Sequence, residues 1–252
     1  MSGMHGSGSL PMATTIKSQH PPSSMQLLVS PCSIEEARQA LAADIIDIKN
    51  PREGSLGANF PWVIREVRAI TTKPLSAAIG DSPFKPGGAA LAAYGAACAG
   101  ADYIKAGLMF AGEKEAELFI SALVRAVKDT YPEKSVVIAG YADFERLGSI
   151  SPLLLPPLIA RAGADVAMID TGIKDGKSLF DFMEGSTLTH FIHKCHNLGL
   201  ETALAGSLTF GDLEGLRKIG PDIIGVRGMV CGGDRNSTIR ADLVEKVKGS
   251  IR

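Results

Sequence analysis

Short apolar runs alternate with longer amphipathic segments along the chain from residue 25 onward. The short runs are rich in β-branched residues, which is typical of buried strands, whereas the longer segments repeat apolar positions with the period of a helix. This alternation predicts βα units around a parallel sheet. The predicted strands are residues 27–31, 44–49, 75–80, 102–107, 135–140, 165–170, 201–206 and 222–228.

Glycine recurs where a predicted helix passes into the next strand, in the segments 99–102, 162–166 and 219–223. Glycine relieves the left-handed backbone that ends many helices, so these segments are predicted to be equivalent corners. A closed (β/α)8 barrel typically needs ~250 residues, whereas an open doubly wound sheet more often has about five or six strands. The sequence therefore predicts an α/β protein with a single (β/α)8 TIM barrel over residues 25–252.

The first 24 residues do not follow this pattern. They are rich in Ser, Gly, Pro and His and contain neither a continuous apolar stretch nor a basic start. This composition predicts a disordered N-terminal tail over residues 1–24 rather than a signal peptide. No apolar segment approaches the ~20 residues that span a bilayer, so we expect no membrane partner.

The net charge and the spacing of the cysteines argue against several classes of function. The formal net charge is −1 and no long basic run occurs, so nucleic acid is not an expected partner. The cysteines are far apart in sequence and form no C-x-x-C pair, which argues against a zinc site and a disulfide framework. We expect a cytoplasmic protein that acts on a small molecule. The four cysteines are Cys32, Cys98, Cys195 and Cys231.

No histidine lies at the end of a predicted strand. His190, His193 and His196 share one late segment, and their spacing does not place three ligands on one helical face. His5 and His20 lie in the predicted tail. We therefore expect a surface helix at 190–196 and no metal site.

In a barrel of this kind the active site lies at the carboxyl ends of the strands. Asp47 and Lys49 are two residues apart on one predicted strand, so both side chains leave the face opposite to Ile46 and Ile48. We expect this pair to point into a partly hydrated barrel mouth. One interpretation is a structural ion pair that closes the barrel, but buried pairs stabilise proteins weakly, which favours a reactive amine at Lys49. The other polar residues predicted at the mouth are Asp81, Lys105, Tyr141, Asp143, Asp170, Lys174, Ser207 and Arg227.

Lys105 lies within the fourth predicted strand and is flanked by small residues. An apolar, cation-rich site lowers the pKa of a lysine and yields the neutral amine that a Schiff-base nucleophile or a general base requires. The alternative is a lysine that extends to solvent. Asp170 and Lys174 follow the sixth strand, where the acid is predicted to move a proton and the lysine to hold a phosphate. Lys174 is preferred to Lys177 because it is nearer the strand, although a solvated loop is the alternative for both.

Glycines follow the seventh and eighth predicted strands, where many barrels bind phosphate through backbone N–H groups. Glycine is also common in tight turns, so this interpretation depends on the neighbouring lysines as well. Together they indicate a phosphorylated substrate. The predicted phosphate-binding residues are Gly206, Ser207, Gly228, Gly232, Gly233 and Arg235.

These motifs resemble, in order, the (5-formylfuran-3-yl)methyl phosphate synthase family of methanofuran biosynthesis. The resemblance extends from about residue 26 to the end of the chain, and the DIKNP-x-EGSLGANFPW block is its most specific part. The N-terminal tail and details of the last glycine loop depart from the family pattern. The matching segments are DIIDIKNPREGSLGANFPWVI, GADYIKAGL, AGYAD, DVAMIDTGIKDGKSLFDF, LAGSL and DIIGVRG followed by GGDRN.

The resemblance implies a barrel enzyme, similar to class I aldolases, that condenses two molecules of glyceraldehyde 3-phosphate with loss of one phosphate and two waters. It implies that Lys49 forms the Schiff base and that Lys105 is the general base. It also implies that Asp47, Asp170 and Lys174 supply further active-site groups. No metal or organic cofactor is expected, because the iminium accepts the electrons, and a homo-oligomer is expected.

Two alternatives are also compatible with the sequence. A class I aldolase for another sugar phosphate would use the same lysine without forming an aromatic ring. A non-catalytic barrel would bind a phosphorylated ligand and form no imine.

Overall fold

The computed structural model describes residues 25–252, in which eight parallel strands close into a barrel. Each strand pairs with its neighbours in sequence, and β1 pairs with β8 to complete the ring. The predicted TIM barrel is confirmed. The strands are β1 Gln26–Val29, β2 Ile45–Ile48, β3 Leu75–Ser82, β4 Tyr103–Leu108, β5 Ser135–Tyr141, β6 Val166–Asp170, β7 Glu201–Leu204 and β8 Ile223–Val226.

The helices alternate with the strands, and β5 is followed by two of them in succession. The predicted tail at residues 1–24 lies outside the described residues. From residue 25 to residue 252, no helix is both long and apolar enough to cross a membrane. The helices are α1 Ile34–Gln39, α2 Pro61–Ile70, α3 Pro86–Cys98, α4 Glu113–Lys128, α5 Phe144–Leu147, α6 Leu155–Ala162, α7 Gly185–Asn197, α8 Leu213–Ile219 and α9 Ala241–Ser250.

The predicted glycine corners all have left-handed backbone. Gly100, Gly163 and Gly220 have φ angles of 110°, 79° and 73°. A side chain is strained in this region, so glycine lets each helix end and the chain turn into the next strand. The three histidines predicted on a surface helix, His190, His193 and His196, are exposed on α7.

The inward positions of β5 and β8 become smaller towards the carboxyl end of the barrel. Large residues such as Ile45, Val166 and Ile223 fill the interior towards the amino ends of the strands. Two residues further along, β8 has Gly225, and an added Cβ there would lie 3.2 Å from the Cβ of Ala205. The barrel is therefore packed at one end and open at the carboxyl end. The small inward residues towards that end are Ala78, Ala139, Ala205 and Gly225.

Gly140 on β5 marks a close approach between the sheet and the segment that leads into α6. An added Cβ would lie 2.9 Å from Pro152 Cα and 2.7 Å from Leu155 Cδ1. Because overpacking forces the backbone to shift, Gly140→Ala is expected to lower the free energy of unfolding by about 1–3 kcal/mol, measured by urea denaturation. Gly95→Ala on α3 is the control, since open space surrounds that position outside its own helix. It is expected to raise the free energy of unfolding by about 0.5–1 kcal/mol, and equal effects of the two changes would contradict the prediction.

Candidate active site

A cavity of about 680 Å³ opens at the carboxyl ends of the strands. Most of its wall comes from β1, β6, β7 and β8 and the loops that follow them. All the residues predicted to be catalytic or to bind phosphate line it except Asp47, which lies beneath it and is fully buried, whereas Asp81, Tyr141 and Asp143 do not line it. The lining residues among them are Lys49, Lys105, Asp170, Lys174, Gly206, Ser207, Gly228, Gly232, Gly233 and Arg235.

The carboxylate of Asp47 is bound by Lys105 rather than by Lys49. Lys105 Nζ donates to both carboxylate oxygens at 2.8 Å. The hydroxyls of Ser76 and Ser30 donate to the same oxygens at 2.7 and 2.8 Å. The expected pairing of Asp47 with Lys49 in a partly hydrated mouth is therefore wrong, and so is the alternative of a solvent-exposed Lys105, which is 1% exposed.

Strand register explains this pairing. Asp47 lies level with Ser76 on β3, and Lys105 on β4 lies level with Ala78, two residues further along β3. The Lys105 side chain therefore reaches across β3 to the carboxylate. Burial raises the pKa of Asp47, but the charges of Lys105 and Lys49 outweigh it and the net pKa is lowered. Asp47 is held as a buried carboxylate.

The Lys49 amine enters the cavity without a partner. Among residues 25–252, none accepts a hydrogen bond from its Nζ. The backbone is fixed, since Lys49 N donates to Pro31 O at 3.2 Å and Asn59 Nδ2 donates to Lys49 O at 3.3 Å. The side chain is therefore held at the cavity by its backbone and by packing.

Several charged groups act on the Lys49 amine. Burial lowers its pKa from 10.5 to about 7. The carboxylates of Asp170 and Asp47 oppose this shift, and the charges of Lys105 and Lys174 add to it. A substantial share of the amine is neutral near pH 7, which is the form that attacks a carbonyl.

Asp170 and Lys174 form a second pair at the end of β6. Lys174 Nζ donates to Asp170 Oδ1 at 2.7 Å and lies 3.0 Å from Thr171 Oγ1. Burial raises the pKa of Asp170, but Lys174 and Lys49 outweigh it and the net pKa is lowered. Lys177 is exposed, so the structure brings Lys174 into the site and leaves Lys177 outside it.

The residues predicted to bind phosphate line the part of the cavity wall that follows β7 and β8. Ser207 has a φ of 48°, which is strained for a residue with a side chain. An added Cβ at Gly206 would lie 2.9 Å from Thr171 Cγ2. The Nη2 atom of Arg235 is buried and has no hydrogen-bond partner among the described residues. Burial also lowers the pKa of this guanidinium, because it disfavours the charged form. An anionic ligand would both stabilise the positive charge and accept a hydrogen bond from Nη2.

Arg227 has a structural role that its position at the mouth does not reveal. It donates to Glu36 at 2.8 and 3.2 Å, to Ser30 O at 2.7 Å and to Arg235 O at 2.8 Å. It therefore ties the loop after β8 to the loop after β1. Glu36 is 191 residues away in sequence and is buried on α1, so the sequence alone does not indicate this ion pair.

Asp47→Asn tests the buried pair. The change leaves the Lys105 ammonium without a counter-charge, so the free energy of unfolding is expected to fall by about 3–5 kcal/mol, measured by chemical denaturation. Glu214→Gln is the matched control, because Glu214 pairs with Lys218 on the exposed face of α8 at 2.8 Å. No measurable change is expected there. Asp47→Asn with wild-type stability would contradict the role of Asp47 as the counter-charge of Lys105.

Lys49→Met tests the cost of burying the amine. The pKa of Lys49 is about 7 in the folded chain and 10.5 ordinarily, so the unfolded chain binds more protons between these values. This group therefore destabilises the fold fully below pH 7, and its penalty disappears as the pH rises towards 10.5. Lys49→Met is expected to unfold at higher urea concentration than wild type at about pH 6, with a smaller difference at about pH 9. Lys177→Met is the exposed control, and a Lys49→Met variant less stable than wild type at low pH would contradict the prediction.

A family model and named relatives match most of the chain. A model of the 4-HFC-P synthase family matches residues 27–248. The (5-formylfuran-3-yl)methyl phosphate synthase of Methanosarcina mazei is 60% identical over 228 residues, covering 88% of this chain and 97% of that protein. The protein of the same name from Archaeoglobus fulgidus is 52% identical over 233 residues, covering 90% of this chain and 99% of that protein.

The barrel is also similar to solved structures of other enzymes. 3-Hexulose-6-phosphate synthase from Salmonella typhimurium superposes with a TM-score of 0.62 at 19% identity, covering 90% of this chain and 98% of that chain. At this identity the likeness concerns the fold, because one barrel architecture supports many chemistries.

Proposed function

Since the chain belongs to the 4-HFC-P synthase family, we propose that it condenses two molecules of glyceraldehyde 3-phosphate into (5-formylfuran-3-yl)methyl phosphate for methanofuran biosynthesis. The observation that carries the proposal is the buried Lys49 amine, which has no hydrogen-bond partner among the described residues and opens into a cavity lined by cations. The two substrate molecules contain two phosphates and the product retains one. The release of one phosphate and two waters balances the reaction.

The first step is attack of the neutral Lys49 amine on the carbonyl carbon of one triose phosphate. The carbonyl oxygen leaves as water, and an iminium forms between Lys49 and the substrate. The iminium withdraws electrons from the adjacent carbon, so a proton is lost there and an enamine results. The enamine then adds to the aldehyde of the second triose phosphate.

Lys105 and Asp47 supply proton transfer beneath Lys49. Lys105 is paired with Asp47 as an ammonium at 2.8 Å, so its first step is to donate a proton to the leaving oxygen. The amine that remains is the base that removes the proton from the carbon next to the iminium. Asp47 stabilises the ammonium whenever it re-forms, which lets one lysine serve several proton transfers.

Two sets of groups at the mouth are suited to holding the retained phosphate and to eliminating the other one. Arg235 offers a buried, unpaired donor beside the glycine loop 228–233. Lys174 lies at the cavity wall, and its partner Asp170 is buried. We assign the phosphate that is retained to the Arg235 side and proton transfer during elimination to the Asp170–Lys174 pair.

Lys49→Arg separates this proposal from its alternatives. Arginine keeps the positive charge but provides no usable nucleophile, so we expect loss of both the imine and the furan product. The measurement is borohydride trapping with glyceraldehyde 3-phosphate and peptide mapping by mass spectrometry, with a parallel scan for furan absorbance and phosphate release. Lys177→Arg is the matched control and is expected to behave as wild type.

Each other result has a definite meaning. Furan formation by Lys49→Arg would overturn the assignment of the Schiff base to Lys49. A wild-type adduct on Lys105 would exchange the roles of the two lysines. An adduct on Lys49 without furan absorbance would favour an aldolase for another sugar phosphate, and neither adduct nor phosphate release would favour a binding protein.

A further inference from the structure

The loop that connects β2 to α2 crosses the mouth of the barrel. The cap loop, residues 50–57, begins immediately after Lys49. Ser55 Oγ donates to Thr171 O at 2.8 Å, directly after β6. In the closed ring of eight strands, β6 lies opposite β2. The cap loop therefore spans the opening from one side to the other.

The cap loop closes part of the barrel with an apolar side chain. Ser55 is 2% exposed and Leu56 is fully buried, although both lie in a loop at the open end of the barrel. Leu56 belongs to the same apolar cluster as the interior residues Ala78 and Ala139 of β3 and β5. The cavity lies on the other side, along β1 and β6 to β8. Leu56 thus fills the part of the mouth that the cavity leaves free.

A partly buried carboxylate, Asp81, and a buried tyrosine, Tyr141, anchor the cap loop. Leu56 N donates to both carboxylate oxygens of Asp81, at 3.1 and 3.0 Å. The hydroxyl of Tyr141 on β5 donates to Asp81 Oδ1. Burial, followed by the charge of Asp81, raises the pKa of Tyr141 well above its ordinary value, so the hydroxyl keeps the proton that it donates.

Two glycines make room for this anchor. A Cβ added to Gly54 would lie 2.1 Å from Asp81 Oδ2, and one added to Gly107 would lie 1.9 Å from the Tyr141 hydroxyl. Gly54 also has a φ of 137°, which favours glycine. Neither Asp81 nor Tyr141 lines the cavity, so the anchor acts on the loop and not on a bound substrate.

We infer that Asp81 and Tyr141 are positioning residues that hold the cap loop across the mouth and thereby exclude water from the side of Lys49 that does not face the cavity. This inference rests on the proposed role of Lys49 as the nucleophile. Without the anchor, the chain that follows Lys49 loses its attachment to β3 and β5, and water gains access to the amine. The reactive amine then becomes more strongly protonated.

Other charged groups also face Lys49, and none of them is hydrogen-bonded to the anchor. Tyr141→Phe removes a neutral hydroxyl and leaves every one of these charges in place, so a shift in the titration of Lys49 that Ser55→Ala shares is transmitted by the cap loop. The groups are Asp47 on β2, Lys105 on β4, Asp170 at the end of β6, Lys174 in the following loop and Arg235 after β8.

Competitive labelling with acetic anhydride tests the inference without any substrate. The reagent acylates neutral amines, so labelling of the Lys49 peptide across a pH series gives the pKa of that amine. In Tyr141→Phe the titration is expected to move by about one pH unit towards the ordinary lysine value of ~10.4, with lower labelling near neutral pH. Tyr131→Phe is the matched control, because Tyr131 lies before β5 at the other end of the barrel, and it is expected to titrate as wild type.

A second variant keeps the test independent of folding defects. Ser55→Ala removes the contact with Thr171 but leaves the anchor intact, and it is expected to shift the titration in the same direction. Thermal unfolding shows whether the Tyr141→Phe variant folds. If it does not fold, the titration of Lys49 in Ser55→Ala tests the inference. Wild-type titration in the folded variants would overturn the inference. Absence of furan formation by the wild type would overturn the proposed function instead, since the labelling uses no substrate.

Discussion

The ion pair between Asp47 and Lys105 determines the chemistry available at the barrel mouth. Lysines at the cavity outnumber the carboxylates that can bind them, because Asp47 binds Lys105 and Asp170 binds Lys174. Lys49 is left without a partner among the described residues. A buried ammonium without a counter-charge is costly, and the protein lowers that cost by releasing the proton. The assignment of partners thus singles out Lys49 among the three lysines for the nucleophilic role that we propose.

The sequence predicted the barrel and the faces of its strands because both follow from local periodicity. Ile46 and Ile48 pack towards the helices, and Asp47 faces inward, as the two-residue alternation requires. The predicted partner of Asp47, Lys49, was wrong, because the pairing depends on the register of β2, β3 and β4 and not on distance along the sequence. Small neighbours of Lys105 suggested that it had no acid nearby, whereas the acid comes from a strand 58 residues earlier.

The loop contacts were not predicted either, because they also depend on which distant segments the fold brings together. Ser55 and Thr171 are 116 residues apart, and neither is of a type that predicts a contact across a barrel. Asp81 and Tyr141 were expected at the mouth because they end strands, but their hydrogen bonds turn them towards the cap loop instead of the cavity. A residue at a strand end is placed near the site by topology, and its role is decided by the loop that packs over it.

In the mechanism that we propose, the two carboxylates near Lys49 do more than pair with other lysines. Burial alone would favour the neutral amine at any pH, but the imine formed from it must carry a positive charge to withdraw electrons. Asp170 and Asp47 raise the pKa of Lys49 against burial and against the charges of Lys105 and Lys174, with a balance at about 7. The same negative charges would stabilise the proposed iminium on Lys49. An apolar pocket would supply a neutral nucleophile and then destabilise the intermediate, whereas this arrangement accommodates both states of one nitrogen.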